Sequence, residues 1–502
     1  MTARNSETAL AFGALTVLSA AFVVLTFVNG WTLWYGDAQA HINIARRVID
    51  SRTPGIYQIG TVWLPLPHAL MLPLVRNDWL WRRGLAGAIP TALCFVLAGG
   101  LLFATIRRVF VSSAAAWSGL AVFAFNPNLL YLQTTPMTEP VFFAAMAALL
   151  YATVRFAESD SAGWAVFAGV AGAATTLTRY EGWFLLPFAA VYLLVTAKSH
   201  RWFKAALFSI IAAAGPLYWL AHNWYFWGNA LEFYNGRWSA QAIYQRGLRA
   251  GLSPYPGDHN WTTALLYFRT AAVDVAGLTP FVIAGLGLLV ALWRRAWWPL
   301  AFLALTPLFY LWSMHSGSVP IYVPPLWPYS FYNTRYALSV LPLLAFAAGA
   351  AVLIAPPGPL RSIASLAIAI AALTPWLIHP HPDNWVCWKE SQVNSNARRA
   401  WTAQAATEIA RDYNGGGIVA CFGDISGVFA RAGVPLRETL HEGNVPAWDG
   451  AMARPDLMLH EEWAVGQKDD TVFKAVARSP HYWLVRAINV PGAPALYIWR
   501  RN

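Results

Sequence analysis

Long apolar runs, separated by short polar connections, dominate the chain as far as residue 379. A bilayer core is crossed by about 20 consecutive apolar residues, so this pattern predicts about eleven transmembrane helices. The predicted spans are 9–28, 85–106, 112–131, 138–156, 162–178, 181–197, 203–226, 272–293, 297–314, 335–355 and 361–378. The two runs that meet at Thr178 also fit a single re-entrant hairpin. The pattern predicts an α-helical polytopic membrane protein.

From residue 380 onward the sequence becomes mixed and polar, with only short apolar runs. Gly415, Gly416 and Gly417 precede the run 418–422, which is typical of a turn before a strand. No G-x-G-x-x-G segment opens a helix here, so the glycines do not indicate nucleotide binding. We therefore predict a transmembrane domain over 1–379 and a small soluble α/β domain over 380–502.

Composition agrees with a membrane protein. Hydrophobic residues make up 57% of the 502 residues and charged residues 12%, against about 25% charged in a soluble domain. The formal net charge of +11 does not indicate a nucleic-acid partner, because Lys and Arg are scattered without a continuous basic stripe. We interpret the positive charge as a signal for membrane topology and for binding lipid phosphate.

Basic residues in the short connections predict the orientation of the chain, because cytoplasmic loops are enriched in Lys and Arg. The connections placed on the cytoplasmic side carry Arg107, Arg108, Arg155, Lys198, Arg201, Lys204, Arg294, Arg295 and Arg361. The N-terminus is then cytoplasmic, in a bacterial plasma membrane. The longer segments 29–84, 227–271 and 315–334, and everything after 379, are then extracytoplasmic.

Two of the three cysteines, Cys387 and Cys421, lie in the predicted soluble domain. They would form a disulfide if the domain faces an oxidising compartment, or remain free thiols. The sequence leaves both interpretations open.

The first outer segment contains an acid at the membrane boundary. Asp37 directly follows the first predicted span, and His41, Ile44 and Val48 follow at the spacing of a helix lying along the surface. Such an acid, with a histidine four residues later and the pair Arg46–Arg47 beyond it, has the groups for proton abstraction beside a phosphate. Capping of the helix by Asp37 explains the acid equally well.

Ionisable residues also interrupt apolar runs further along the chain. Glu139 opens the fourth span, where an acid in the first turn complements the helix dipole without any further role. Arg179, Tyr180 and Glu181 interrupt an otherwise apolar stretch. Ionisable groups at such depth are costly and mark either a functional site or a structural ion pair.

The loop before the tenth span is rich in proline and aromatic residues and begins near His315. Arg335, at its end, is suited to bind a phosphate through its planar guanidinium, and either Tyr332 or Tyr336 to stack on a sugar. Anchoring at the interface explains the tyrosines as well. Asn333 lies beside these residues. The loop charges place all these candidates at the non-cytoplasmic face.

These segments resemble the GT-C superfamily of integral-membrane glycosyltransferases, which includes the protein O-mannosyltransferases and the aminoarabinose transferases. The likeness covers roughly residues 1–380. It rests on Gly-Asp-Ala-Gln-Ala-His at 36–41, Pro-Met-Thr-Glu-Pro at 136–140, Thr-Arg-Tyr-Glu-Gly at 178–182 and Asn-Thr-Arg-Tyr-Ala-Leu-Ser-Val-Leu-Pro at 333–342. It implies a polyprenyl-phosphate-linked sugar donor and an inverting reaction at the outer face.

The resemblance also implies roles for individual residues. Asp37 becomes the catalytic base and Arg335 a ligand of the donor phosphate. Glu139, the second residue expected to be catalytic, would help to shape the acceptor or donor pocket together with the Arg179/Glu181 pair. The remaining expected substrate-binding residues are His41, Arg179, Tyr180, Glu181, His315, Asn333 and Tyr336. The acceptor would be a lipid, a glycan or a protein.

The expected site contains neither a cofactor nor a metal. Many members of the superfamily carry two closely spaced acids in the first loop, whereas Asp37 is followed by Ala38 and Gln39. No His/Cys set has the spacing of zinc ligands, although a divalent ion stays an open alternative.

A transporter or flippase of a lipid-linked or sugar substrate is the main alternative function. Intramembrane Arg and Glu also mark translocation paths. Against it, the polar candidates cluster at one face, and the two halves of the chain show no mirrored pattern.

Overall fold

The computed structural model of the protein describes residues 3–378, 380–423 and 425–502, with side chains from residue 6 onward. Its long helices follow the apolar runs of the sequence. The first eleven helices are α1 (Ala3–Val28), α2 (Gly36–Arg47), α3 (Pro65–Val75), α4 (Asp78–Arg82), α5 (Leu85–Phe110), α6 (Ser113–Ala124), α7 (Pro127–Leu132), α8 (Glu139–Ser159), α9 (Ala162–Thr176), α10 (Glu181–Thr196) and α11 (Arg201–Trp227).

The second half continues with α-helices and ends in a small sheet. The helices are α12 (Glu232–Asn235), α13 (Ala240–Arg249), α14 (Trp261–Ala276), α15 (Leu278–Trp293), α16 (Trp297–His315), α17 (Leu341–Ala351), α18 (Pro359–Ile378), α19 (Val386–Asp412), α20 (Ser426–Ala432), α21 (Ala447–Ala453), α22 (Pro455–Met458) and α23 (Thr471–Val476). The strands are β1 (Ile418–Ala420), β2 (Thr439–Leu440), β3 (Trp463–Gln467), β4 (Tyr482–Ile488) and β5 (Leu496–Arg501).

Six helical stretches of the described residues are long and apolar enough to cross a membrane, or seven if α14 and α15 count as one broken span. They are α1, α5, α8, α11, α18 and the stretch Thr334–Ile354, which contains α17. These two helices meet at Gly277 with a bend of 106°. The helices α3, α6, α9 and α10 are apolar but shorter. The predicted count of eleven spans therefore stays a prediction, while the polytopic helical architecture is confirmed.

Contacts between Cα atoms divide the chain into two units. The first consists of Met1–Thr26, Thr61–Pro67 and Ile89–Glu390, and the second of Phe27–Gly60, His68–Ala88 and Ser391–Asn502. The predicted domain boundary falls at His379, which lies outside the described residues, so this boundary stays a prediction.

Glycines allow close helix packing in the first unit, where α15, α17 and α6 approach one another. A Cβ atom on Gly287 would lie 1.8 Å from the backbone oxygen of Ala347, and one on Gly119 2.7 Å from that of Ala345. Small residues permit such approach between membrane helices. The backbones of these helices are therefore in direct contact.

The second unit contains a five-stranded sheet in the order β2-β1-β3-β5-β4. Strand β1 pairs in parallel with β2 and β3, whereas β5 is antiparallel to β3 and β4. Ile418, Val465 and Ile498 of the sheet belong to a buried cluster with Trp401 of α19 and Phe429 of α20. This arrangement confirms the predicted C-terminal α/β domain.

Helix α2 packs into the core of the second unit, and its predicted position along the membrane surface stays a prediction. Ile42 and Ala45 belong to the same buried cluster as the sheet, and His41 and Ile44 are buried as well. The helix uses its apolar residues in the core of the second unit. The cysteines Cys94, Cys387 and Cys421 form no disulfide bond in the described structure.

Candidate active site

A chain of alternating acids and arginines lies in the first unit. Glu139 begins α8, Glu181 begins α10, and Arg179 lies in the break between α9 and α10. Arg335 belongs to a short 3-10 helix, Thr334–Val340, that precedes α17. Glu390 lies near the start of α19. We call these five residues the charge ladder.

Arg179 occupies one half of the ladder. Its Nε donates to Oε1 of Glu181 at 2.6 Å and its Nη1 to Oε1 of Glu139 at 3.2 Å. The same Nη1 donates to the hydroxyl of Thr138 at 2.6 Å, and Nη2 donates to the hydroxyl of Tyr310 at 2.6 Å. The Tyr310 hydroxyl in turn donates to Glu181. The Arg179–Glu181 pair that the sequence left as an alternative therefore exists, within a larger network.

Arg335 occupies the other half. Its Nε donates to Oε1 of Glu139 at 3.2 Å and its Nη1 to Oε1 of Glu390 at 3.3 Å. Glu390 also accepts the backbone N–H groups of Asn333 at 2.9 Å and Thr334 at 2.8 Å, and the Thr334 hydroxyl. Glu390 therefore fixes both Arg335 and the start of the helix that carries it.

Glu139 is the central member of the ladder. Its Oε1 accepts from both arginines, while its Oε2 is buried and has no hydrogen-bond partner among the described residues. A buried carboxylate oxygen without a donor is costly, and such atoms in native structures call for a specific reason. A ligand hydroxyl is a group that would satisfy this oxygen.

The ring of Tyr336 lies against both arginines. Its centroid is 4.9 Å from the guanidinium carbon of Arg179 and 4.7 Å from that of Arg335. The ring also stacks on Tyr310 with centroids 5.1 Å apart. Cations are attracted to aromatic faces, so Tyr336 helps to hold the two guanidinium groups close together.

The ladder has an excess of acid. Three buried carboxylates, those of Glu139, Glu181 and Glu390, face two guanidinium groups. Burial raises the pKa of the Glu390 carboxyl, whereas Arg335 and the donors of Thr334 and Asn333 lower it. The net shift in the pKa of Glu390 is upward, so Arg335 offsets only part of the cost of burying this carboxylate, and an added cation or hydroxyl donor would be favourable here.

Three other predicted residues lie outside the ladder. The Tyr180 hydroxyl donates to the backbone oxygen of Val62 at 2.7 Å and accepts from Nε1 of Trp219 at 3.1 Å. His315 stacks on Trp261 with centroids 3.9 Å apart. Asn333 contributes its backbone N–H to Glu390, and its side chain donates to the Pro320 oxygen at 3.1 Å.

Asp37 and His41 belong to the second unit. Asp37 lies in the first turn of α2 and is partly exposed, and the N-cap position of this helix is occupied by Tyr35, whose side chain makes no capping hydrogen bond. Nδ1 of His41 lies 2.9 Å from Nε2 of His68, and both rings are buried. One nitrogen of this contact donates and the other accepts.

The comparison with solved structures covers nearly the whole chain. A crystal structure of ArnT from Cupriavidus metallidurans bound to undecaprenyl phosphate aligns with a TM-score of 0.56 and 14% identity, over 95% of this chain and 97% of that chain. The apo state of the same protein aligns with a TM-score of 0.51 and 16% identity, over 97% and 98%. The chain has the GT-C fold.

The family profile of the dolichyl-phosphate-mannose-protein mannosyltransferases matches residues 81–226. This range includes Glu139, Arg179 and Glu181 of the ladder. No curated protein sequence matches the chain at a significant level. Together with the GT-C fold, the profile confirms the resemblance that the four short motifs predicted, and it identifies the chain as an integral multi-pass membrane protein.

The GT-C fold brings together four residues that sequence reasoning selected, Glu139, Arg179, Glu181 and Arg335, with Tyr336 against them. It adds Glu390 and Tyr310, which sequence reasoning missed. Glu390 lies in a polar segment where an acid is unremarkable, and Tyr310 lies in an apolar span where aromatic residues are common. A hydroxyl within such a span needs a partner, which is the one signal that could have identified Tyr310.

Within the described ranges, no group of three or more His, Cys, Asp or Glu has the geometry of a metal site. We therefore assign no metal ligands, and the metal-free site stays a prediction.

Proposed function

We propose that the protein is a membrane glycosyltransferase that moves a sugar from a polyprenyl-phosphate-linked donor to an acceptor at the extracytoplasmic face. The observation that carries this proposal is the buried charge ladder with its unpartnered Glu139 oxygen, in a chain with the GT-C fold. One ArnT structure with this fold holds undecaprenyl phosphate, which supports a lipid phosphate as the donor's carrier.

The proposed reaction is a single inverting displacement. Asp37 removes the proton from the acceptor hydroxyl, and the acceptor oxygen attacks the anomeric carbon of the sugar. The bond between that carbon and the phosphate oxygen breaks, and the electron pair leaves with the polyprenyl phosphate. Asp37 lies in the first turn of α2 and is partly exposed, so an acceptor can reach it.

Arg335 is proposed to bind the donor phosphate. Glu139 and Glu390 hold the guanidinium of Arg335 through its Nε and Nη1, and a planar guanidinium held in this way has the shape and charge that bind a phosphate. Positive charge placed before the reaction stabilises the negative charge that develops on a departing phosphate.

Glu139 is proposed as the second catalytic residue. Its Oε2 would accept a hydroxyl of the bound sugar or acceptor, while the two arginines hold the carboxylate in place. The other residues proposed to bind substrate are His41, Arg179, Tyr180, Glu181, His315, Asn333 and Tyr336.

Donor turnover tests the proposal. The purified protein in bacterial membrane lipids is incubated with a panel of polyprenyl-phosphate sugars and with bacterial envelope extract as the source of acceptor, and release of free polyprenyl phosphate is measured. General-base catalysis contributes a factor of about 10² to 10⁴, so Asp37→Asn should slow release by at least about 10². The control Asp383→Asn removes an exposed carboxylate that pairs with Lys389 and should leave release unchanged.

Equal release by wild type and Asp37→Asn would remove Asp37 from the mechanism. If no donor of the panel releases polyprenyl phosphate, the proposed transferase function is contradicted.

A transporter is the second candidate. The buried ladder and the 106° break between α14 and α15 favour it, because broken helices and buried charges also build translocation sites.

A further inference from the structure

The segment between α11 and α14, residues 228–260, exposes an unusual number of large apolar side chains. Each of them is between 46% and 68% exposed. They are Leu231, Tyr234, Trp238, Ile243 and Leu252. Exposed apolar patches of this kind mark surfaces that contact a partner or a membrane.

Helix α13 within this segment is amphipathic. Since successive residues turn by about 100°, Ile243, Tyr244 and Leu248 share one side of α13 and Arg246 and Arg249 the other. No residue of α13 is buried in the described structure. A helix with one apolar and one cationic side is typical of elements that lie in the plane of a membrane interface.

Contacts fix the position of α13. The Tyr244 hydroxyl donates to Oδ2 of Asp258 at 2.9 Å and accepts the backbone N–H of Tyr255 at 3.0 Å. Ile243 stays exposed beside this anchor. The helix is therefore held in place with Ile243 exposed, while Tyr244 and Leu248 on the same side are half-buried.

Both ends of the segment adjoin aromatic ends of apolar helices. Helix α11 meets the length and hydropathy of a membrane span, and it ends with Trp224, Tyr225 and Trp227 exposed. Helix α14 begins with the exposed Trp261. Trp and Tyr are enriched where spans meet the headgroups, so the segment begins and ends at headgroup depth.

The charge of the segment complements a lipid surface. Residues 228–260 contain three arginines, Arg237, Arg246 and Arg249, and two acids, Glu232 and Asp258, of which Asp258 accepts from Tyr244. Nη1 of Arg246 donates to the backbone oxygen of Arg237 at 2.5 Å, which holds two of the arginines near each other. Guanidinium groups bind phosphate through charge-assisted hydrogen bonds.

We infer that residues 228–260 form an interfacial segment, which inserts its exposed apolar side chains below the headgroups and binds anionic phospholipid through Arg237, Arg246 and Arg249. The inference is independent of the proposed reaction. It rests on the coincidence of an ordered amphipathic helix, aromatic flanks and clustered arginines.

Depth of insertion is the first test. Ile243→Cys is spin-labelled in phospholipid nanodiscs, and its accessibility to oxygen is compared with that to a water-soluble nickel chelate. Labelled wild type supplies the background of the three native cysteines. The matched control is Leu484→Cys, an exposed leucine on β4 of the sheet.

The label at residue 243 should favour oxygen, and the label at residue 484 should favour the nickel chelate. A label at residue 243 that favours the nickel chelate as strongly as that at residue 484 would overturn the inference. That result would leave a water-soluble partner as the occupant of the surface.

Lipid selectivity is the second test. Nanodiscs of equal phosphatidylcholine and phosphatidylglycerol are used, and the lipids retained by the protein are counted by mass spectrometry. Attraction of one basic residue to an anionic surface corresponds to about a fivefold preference, so Arg246→Gln should lower the phosphatidylglycerol preference by up to about fivefold. The triple variant with Arg237→Gln and Arg249→Gln should lower it further.

The control Arg454→Gln removes an exposed arginine of the second unit and should change nothing. Unchanged selectivity in the triple variant would overturn the assignment of the three arginines.

Discussion

Glu139 holds two arginines through one carboxylate oxygen and leaves the other oxygen buried without a donor among the described residues. A purely structural ion pair does not account for the unpaired Oε2 of Glu139, because a buried oxygen without a donor is destabilising. The arrangement supports the proposed role of Glu139 in binding a substrate hydroxyl. We therefore expect replacement of Glu139 to lower turnover, and replacement of Glu390 to weaken donor binding.

Replacing Glu139 by Gln removes its charge and places an amide N–H₂ where an arginine or a substrate hydroxyl needs an acceptor. We expect polyprenyl phosphate release to fall by about 10² or more, the range for loss of an acid–base group. The matched control is Glu158→Gln, at the far end of the same helix, where a more exposed carboxylate pairs with Arg108. Wild-type turnover by a folded Glu139→Gln protein would contradict a role in catalysis.

Glu390→Gln tests a positioning role. Glutamine cannot accept from Asn333, Thr334 and Arg335 together, so the helix that carries Arg335 should shift. Since a hydrogen bond to a charged group contributes about 1.5 to 3 kcal/mol, the KM for the donor should rise about tenfold or more, with a smaller change in kcat. Lys389→Gln is the neighbouring control. A fall in kcat at constant KM would assign Glu390 to the chemical step instead.

Sequence alone identifies those members of the ladder that interrupt apolar runs. Arg179, Glu181 and Glu139 stand out because charge in such runs is costly. Glu390 does not stand out, because its partner Arg335 is distant along the chain and only folding brings them together. The pairing of His41 with His68 is hidden for the same reason.

Helices follow the apolar runs closely, because hydrophobic length determines where a chain can cross a membrane. The sequence misses α3, a helix with Pro65 at its first position and Pro73 inside it, because prolines usually interrupt helices. It also cannot give the order β2-β1-β3-β5-β4, since the pairing of β1 with β3 joins distant residues. Elements are thus predictable where the signal is local.

Close packing of α15 against α17 gives a prediction at this scale. Gly287→Ala would place a Cβ atom 1.8 Å from the Ala347 backbone oxygen, so the two helices must separate. Overpacking typically costs about 1 to 3 kcal/mol, and the melting temperature in detergent should fall. The Cβ atom of Gly285→Ala, on the same helix, would have no neighbour within 4 Å, so this variant should leave the melting temperature unchanged or raise it. Equal melting temperatures for the two variants would contradict this packing.

At the scale of the whole molecule, the GT-C fold accounts for 95% of the chain in the alignment with ArnT bound to undecaprenyl phosphate. The alignment therefore extends beyond the membrane helices into the C-terminal region. Fold alone does not select between transfer of a sugar and movement of an intact lipid-linked sugar. Cleavage of the bond between sugar and phosphate distinguishes the two functions, because only a transferase breaks this bond.

The most direct measurement follows a doubly labelled polyprenyl-phosphate sugar in sealed liposomes that contain the wild-type protein and bacterial envelope extract as acceptor. One label is on the lipid and one on the sugar, so cleavage and movement are recorded separately. We predict that one polyprenyl phosphate is released for each sugar transferred to the extract. Movement of the intact donor between leaflets, without release of polyprenyl phosphate, would contradict the account and favour a transporter.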